Sequence, residues 1–314
     1  MWGDAGARGP RTGAPARLAL LVALSLQGSP PPATPVAVTV GRVTAVAWPG
    51  QEALATSLAE AADHAAGFPG IGALPDRPIR LILAPTRERY DSLTRGRLPF
   101  WSEGAAFPEL ATIVLLTDHP AVRQSALRHE LAHLALRWHV GAGLGAGRRI
   151  PLWFEEGYAA VAAGEWDRLD ALRLNWQLAR GVRMNLDDVD GALRGARADA
   201  EAGYALATTA VLLLHRWGGA RGLDPLLTNL AQAPTFDAAL RATYHLTEGD
   251  FEARWQSDVA SRYGWLSWTA AMGVFWITIG AVLGALLVWR RRRDRARRAA
   301  LDDGQLLDEL DITP

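Results

Sequence analysis

The sequence predicts an α+β chain with a small strand-rich half, a mostly helical half behind it and one C-terminal transmembrane helix. Three observations carry that expectation. Short Val/Ile/Leu-rich runs of strand length occupy the stretch before residue 118, helix-length segments separated by Gly and Pro breaks occupy the stretch after it, and an uncharged apolar run extends from Trp265 to Trp289. Of the 314 residues, 49% are hydrophobic, enough for a packed core. None is Cys, which removes disulfide frameworks, thiolate nucleophiles and thiolate metal sites. The 33 basic side chains, all Arg, balance 33 acidic ones, so no positive surplus points to a nucleic-acid partner.

From the N-terminus, Arg8, Arg11 and Arg17 precede an apolar stretch from Leu18 to Leu26, then Gly28, Ser29 and a run of Pro. That is the layout of a secretory signal peptide, assigned to residues 1–29. Valines at 36, 38, 40, 43 and 46 alternate with a break at Gly41, which predicts a strand pair or a bulged strand. Gln51–Ala66 is Ala-rich and reads as a helix, Pro78–Leu83 as a strand, Arg87–Thr94 as a short helix and Leu110–Leu116 as another strand. This front half, 34–118, gives way to a helical half, 119–263. Helices are expected there over about 120–139, 151–164, 167–180, 198–217, 220–231, 236–243 and 248–263.

Residues 265–289 suffice, at about 1.5 Å per residue, to cross a hydrocarbon core of about 30 Å. Trp265, Trp268 and Trp289 stand near the ends of this run, as interfacial belts require. Seven Arg between Arg290 and Arg298 keep the following flank cytoplasmic, so everything before Trp265 is expected outside the cytoplasmic membrane. The tail, 290–314, then turns acidic around Leu301, Leu306, Leu307 and Leu310. Neutrality is thus a sum of unlike parts: +2 over residues 1–29, −3 over 30–289 and +1 over 290–314.

The chemistry centres on His129-Glu130-Leu131-Ala132-His133. Two His at i and i+4 lie one turn apart on one helical face, so both imidazoles reach one ion. Glu130 sits about 100° around the helix from His129, beside the ligands, where it hydrogen-bonds a water without binding the metal. Leu127, Leu131, Leu134 and Trp138 form a core stripe that pins the helix and leaves the His face free. Catalytic zinc takes three protein ligands and leaves a fourth position for water. Downstream, Pro151 opens a second helix whose first turns hold Glu155 and Glu156 among Trp, Phe, Tyr and Ala, so one of the two acids points inward to the metal. His64, His119, His139 and His245 have no partner at ligand spacing.

With those motifs in place the chain resembles the gluzincin-type metallopeptidases of the peptidase MA-like group, in which the H-E-x-x-H is followed by a W-x-x-E-G segment. The resemblance covers roughly 78–263. It implies that Glu156, between Trp153 and Gly157, is the third ligand of one zinc ion with His129 and His133, and that Tyr204 is a second donor to the tetrahedral oxyanion, with Tyr158 and His215 as rivals. Glu130 is then the general base that takes a proton from the attacking water. Two departures stand out. Where such enzymes carry an Asp four residues after the ligand Glu, this chain has Ala160, which leaves the partners of the ligand His unassigned. No G-x-M-E-N segment is present, which disfavours an exopeptidase.

The expected protein is therefore a membrane-anchored zinc endopeptidase acting on a peptide or protein substrate, with the strand Ala111–Leu116 as the sheet edge along which substrate pairs. The competing expectation is a non-catalytic zinc-containing ectodomain that serves as a membrane-anchored binding or assembly module. An intramembrane protease is disfavoured by Arg123, Arg128 and Arg137 around the motif. No protein partner is identifiable.

Overall fold

The computed structural model describes residues 34–96, 98–118, 124–141, 150–181 and 185–310, the side chains of 265–274 and 299–310 excepted. The expected signal peptide at 1–29, the start of the motif helix at 120, and most of the Gly-rich turn at 141–147 lie outside the described residues.

The alternating valines form a hairpin. Strand β1 (Val36–Val40) pairs antiparallel with β2 (Val43–Ala47), and Val40 faces Val43 across the turn at Gly41. Alternate residues of β2, Val43, Ala45 and Ala47, are buried against helix α1 (Glu52–Asp63). The crossover through α1 delivers β3 (Ile79–Ala84) parallel to β2, as a helical connection between parallel strands must. Helix α2 (Arg87–Thr94) starts at Thr86, whose hydroxyl accepts a hydrogen bond from Arg89 N at 3.3 Å.

Strand β4 (Gly104–Phe107) and β5 (Thr112–Leu116) complete a sheet of order β1-β2-β3-β5-β4. β5 is parallel to β3 on one side and antiparallel to β4 on the other, and all five of its residues are buried. The expectation that Ala111–Leu116 forms the sheet edge is therefore corrected: the edge on that side is β4. The continuous apolar run Thr-Ile-Val-Leu-Leu suits a strand covered on both faces, whereas an edge strand with one wet side need not be uniformly apolar.

The helical half comprises α3 (Gln124–Val140), α4 (Leu152–Ala163), α5 (Arg168–Ala179), α6 (Leu186–Leu193), α7 (Arg197–Trp217), α8 (Asp224–Gln232), α9 (Phe236–Tyr244) and α10 (Glu248–Tyr263). Helix α6 has no counterpart among the expected elements. Its reciprocal capping box, in which Asn185 accepts from Asp188 N and Asp188 accepts from Asn185 N, holds a short Asp-rich segment that lacks a long apolar period. α4 packs between α3 and α7. A front half of strands and a rear half of helices make the fold α+β, as expected.

Helix α11 (Trp265–Leu310) is one continuous helix of 46 residues that carries the apolar run, the arginines and most of the acidic tail. Among the described residues no helix is long and apolar enough to cross a membrane. The expected span, 265–289, begins in 265–274, whose side chains lie outside the described set.

Candidate metal centre

Helix α3 is enclosed on more sides than its apolar stripe predicts. Leu127, Leu131 and Leu134 are buried as expected, but so are Ala132, Ala135 and Leu136, and the half-buried Trp138 donates its indole N–H to Pro108 O at 3.0 Å. Arg128 ties the helix to its surroundings by donating to the carbonyls of Ala162, Ala66 and Gly67. These contacts fix the rotation of α3, and residues 129, 133 and 137, each one turn apart, meet the acids of α4.

Helix α4 is oriented from both ends of its first turns. Asp190, on α6, accepts from the otherwise unpaired N–H groups of Leu152 (3.3 Å) and Trp153 (2.6 Å), a cap supplied by another element that also places negative charge at a helix N-terminus. The Trp153 side chain is 1% exposed, stacks on Phe251 with centroids 5.6 Å apart, and meets Phe154 and Phe236 edge-on. Gly157 lets α7 cross close to α4, because a Cβ there would overlap Ala207 O. The Trp and Gly of W-x-x-E-G thus have structural tasks: one pins the helix and the other admits the neighbour that carries Tyr204.

The three proposed ligands meet. His129 Nε2 lies 3.4 Å and His133 Nε2 3.8 Å from Glu156 Oε2, and one donor atom from each residue falls within 4.8 Å of the others. A tetrahedral zinc with donors at about 2.0–2.1 Å separates those donors by about 3.4 Å, so the set fits one such ion without large rearrangement. The opposite ring nitrogens are held by carboxylates. His129 Nδ1 is 3.0 Å from Glu165 Oε2, and His133 Nδ1 is 3.5 Å from Glu155 Oε1. Glu155 is itself gripped by the Arg137 guanidinium, with Nε donating to Oε1 at 2.8 Å and Nη2 to Oε2.

This supplies the missing partners. The expected position for a carboxylate, Ala160, is buried and carries no polar group, while Glu165, just past the end of α4, holds His129 instead. Glu155, adjacent to the expected ligand Glu156, performs the same task for His133. The signal that could have revealed it was Arg137, at the same i+4 interval beyond the two His as they keep between themselves.

Glu130 is 8% exposed and lies against β4: a Cβ on Gly104 would overlap its carboxylate. Burial pushes its pKa up, with Glu156 and Glu165 adding to the rise against the opposing pull of the two His. For His129 burial favours the neutral ring, but hydrogen bonds to Glu156 and Glu165 outweigh it and raise the pKa well above the ordinary imidazole value. His133 shows the same balance, with the nearby Glu156 charge leading the opposition to burial. Glu155 is opposed by burial, yet the hydrogen bonds from His133 and Arg137 pull its carboxyl down to about 2.

Tyr204 lines the same cleft, with its ring centroid 6.4 Å from His129 and 6.1 Å from Trp101. Its pKa stands well above the ordinary phenol value through burial and the adjoining Glu156 carboxylate. The rivals point elsewhere. Tyr158 donates its hydroxyl to Pro69 O at 3.0 Å, and His215 lies beside Gly222 at the far end of α7. Of the remaining described His, the His64 ring lies 3.0 Å from Glu60 O, His245 caps α9, and none of His64, His139 and His245 lines the cleft. His119 is outside the described residues.

The centre opens into a cleft of about 1130 Å³, walled on one side by β4 and by Phe100 and Trp101 before it, and on the other by Leu152, Leu193 and Arg194. No match was found among curated proteins. The model of the Peptidase MA superfamily matches residues 70–261, which takes in β3 through nearly all of α10 and every residue of the centre. The chain belongs to the peptidase MA superfamily.

Proposed function

We propose that the protein is a membrane-anchored zinc endopeptidase acting outside the cytoplasmic membrane. The observation that carries this reading is the donor triangle of His129, His133 and Glu156, with the non-ligating carboxylate of Glu130 buried beside it at the mouth of an open cleft. His129, His133 and Glu156 would hold one zinc ion, whose Lewis acidity would make a water nucleophilic near neutral pH and polarise a carbonyl. Everything else falls to the chain. Glu130, its basicity raised by burial, accepts a proton from the attacking water and delivers it to the leaving amine. Tyr204 donates its hydroxyl to the oxyanion of the tetrahedral intermediate, a contribution of about 3 kcal/mol for one such donor. Glu165 and Glu155 orient the imidazoles.

Substrate binds as an added strand on β4. Its outer edge is unpaired among the described strands, it lines the cleft, and its Gly104 lies against Glu130, so an extended peptide there passes the base within reach. Tyr90 holds this edge from behind, its buried hydroxyl donating to Gly104 O at 2.6 Å.

Anchoring is supported by α11. Phe275, Trp276, Ile277, Val282, Leu283, Leu286, Leu287, Val288 and Trp289 are all more than half exposed, pointing to several sides of one helix, and Arg290–Arg298 follow directly. Apolar residues all around a helix require an apolar surrounding.

The test uses the full chain in detergent micelles, with zinc content and hydrolysis of an unfolded protein measured for wild type and Glu130→Gln. About one zinc per chain in both, with turnover lost by a factor of about 10²–10⁴ in the variant, supports the enzyme. Zinc without turnover in wild type moves the reading to a non-catalytic binding module, and no zinc in wild type sinks both.

A further inference from the structure

Helix α5 leaves three large apolar side chains uncovered along one face. Leu174 and Leu178 face inward, but Leu169, Leu172 and Trp176 are 59%, 54% and 58% exposed. At 100° per residue these three fall within one sector of the helix about 60° wide. Exposed Arg168 borders that sector on one side and exposed Arg173 and Arg180 on the other, Arg173 being also held by Asp170 at 3.0 Å. An apolar stripe with a Trp, rimmed by arginines, is the composition of a helix that lies in the plane of a membrane surface.

Its position in the fold agrees. Trp166, two residues before α5 begins, packs edge-on against Tyr263 at 5.7 Å, and Tyr263 is separated from the first residue of α11 only by Gly264. α5 also touches α11 itself. The stripe therefore stands at the root of the proposed anchor.

We propose that α5 is a second membrane contact: Leu169, Leu172 and Trp176 enter the outer headgroup region of a phospholipid bilayer while the flanking arginines meet anionic lipid. This rests on the reading of α11 as the anchor. Such helices bury their apolar face about 5–10 Å deep, and their arginines add an attraction that salt screens. Glu165, which holds His129, immediately precedes Trp166, so the contact also sets the metal centre close to the membrane surface.

Because the chain contains no Cys, single labels can be placed without background. The full chain carrying an environment-sensitive fluorophore at Leu172→Cys, Trp176→Cys, Glu60→Cys on α1, or Ala281→Cys on α11 is reconstituted into phosphatidylcholine/phosphatidylglycerol vesicles, without nitroxide lipids or with lipids bearing a nitroxide either near the headgroup or deep in the acyl chain. The α5 labels are expected to be quenched roughly threefold more than the Glu60→Cys label. Raising phosphatidylglycerol at low salt should deepen that quenching. Quenching on α5 no greater than at Glu60→Cys, with Ala281→Cys quenched by nitroxides deeper in the chain region, overturns the contact and leaves the anchor standing. If Ala281→Cys also escapes deep quenching, both fail. A blue-shifted α5 label that no lipid quenches means that protein covers the stripe, and overturns the proposal.

Discussion

Helices α4 and α5 have the same length, 12 residues each, and follow one another in the chain, yet they treat their apolar side chains in opposite ways. α4 buries seven of its residues, including Trp153, Phe154 and Tyr158, and is fixed by a cap from α6, by α7 against Gly157, and by α3. α5 buries three and turns Leu169, Leu172 and Trp176 outward. A helix that presents metal ligands needs every degree of rotation determined by packing, since a displacement of about 1 Å at the donors costs orders of magnitude in rate. A helix that meets a surface needs only its stripe. The burial difference thus separates a helix whose rotation is fixed by packing from one that keeps an apolar face open.

The largest consequence falls on the α4 side. Trp153→Ala should destabilise the domain by about 3–5 kcal/mol, because a fully buried aromatic stack is replaced by a cavity, and chemical denaturation of the full chain would measure it. Loss of less than about 1 kcal/mol would mean that α4 is not pinned there.

Next is the ionic support of His133. Glu155 has a pKa of about 2 in the folded protein against 4.5 for the free group, so its contribution is fully present above about pH 4.5 and disappears as pH falls through about 2. Glu155→Gln should therefore cost about 2–3 kcal/mol in the metal-free chain at pH 7, and the gap to wild type should narrow steadily as unfolding is repeated from pH 4.5 downward. A gap that does not change with pH would show that the His133 and Arg137 pairings are not its source.

Glu165→Gln touches the bridge between the two helices. It should weaken zinc affinity by about 10- to 100-fold while leaving unfolding of the metal-free chain nearly unchanged, because Glu165 is half-exposed and acts through His129. Competition with a chelator reads the first quantity. The smallest effect belongs to α5: Leu172→Ser should change stability by no more than about 0.5 kcal/mol, in contrast to any large-to-small change on α4.

The same contrast explains what could be read in the sequence. α3 and α4 were legible because the His spacing, the apolar stripe and the Pro151 start are local patterns. His129, His133 and Glu156 came together as expected because i+4 spacing and one neighbouring helix suffice to bring them together. Strand β4 was not legible, since Gly-Ala-Ala-Phe has no alternation and becomes a strand only by pairing with β5. With β4 in place, β5 is an interior strand and not the edge expected of it. Glu165 escaped because it lies beyond the end of α4, where chain direction is set by tertiary packing and not by helical period. The capping carboxylate of Asp190 escaped for the same reason, being supplied across a gap of more than thirty residues.

The most direct test of the central claim is X-ray absorption at the zinc edge on the purified full chain, compared with His133→Ala and Glu156→Gln. The account predicts a shell of nitrogen and oxygen donors at about 2.0–2.1 Å, including two imidazoles, with one imidazole lost in His133→Ala and the shell altered in Glu156→Gln. A zinc shell that neither substitution changes, or a chain that takes up no zinc at all, would contradict it.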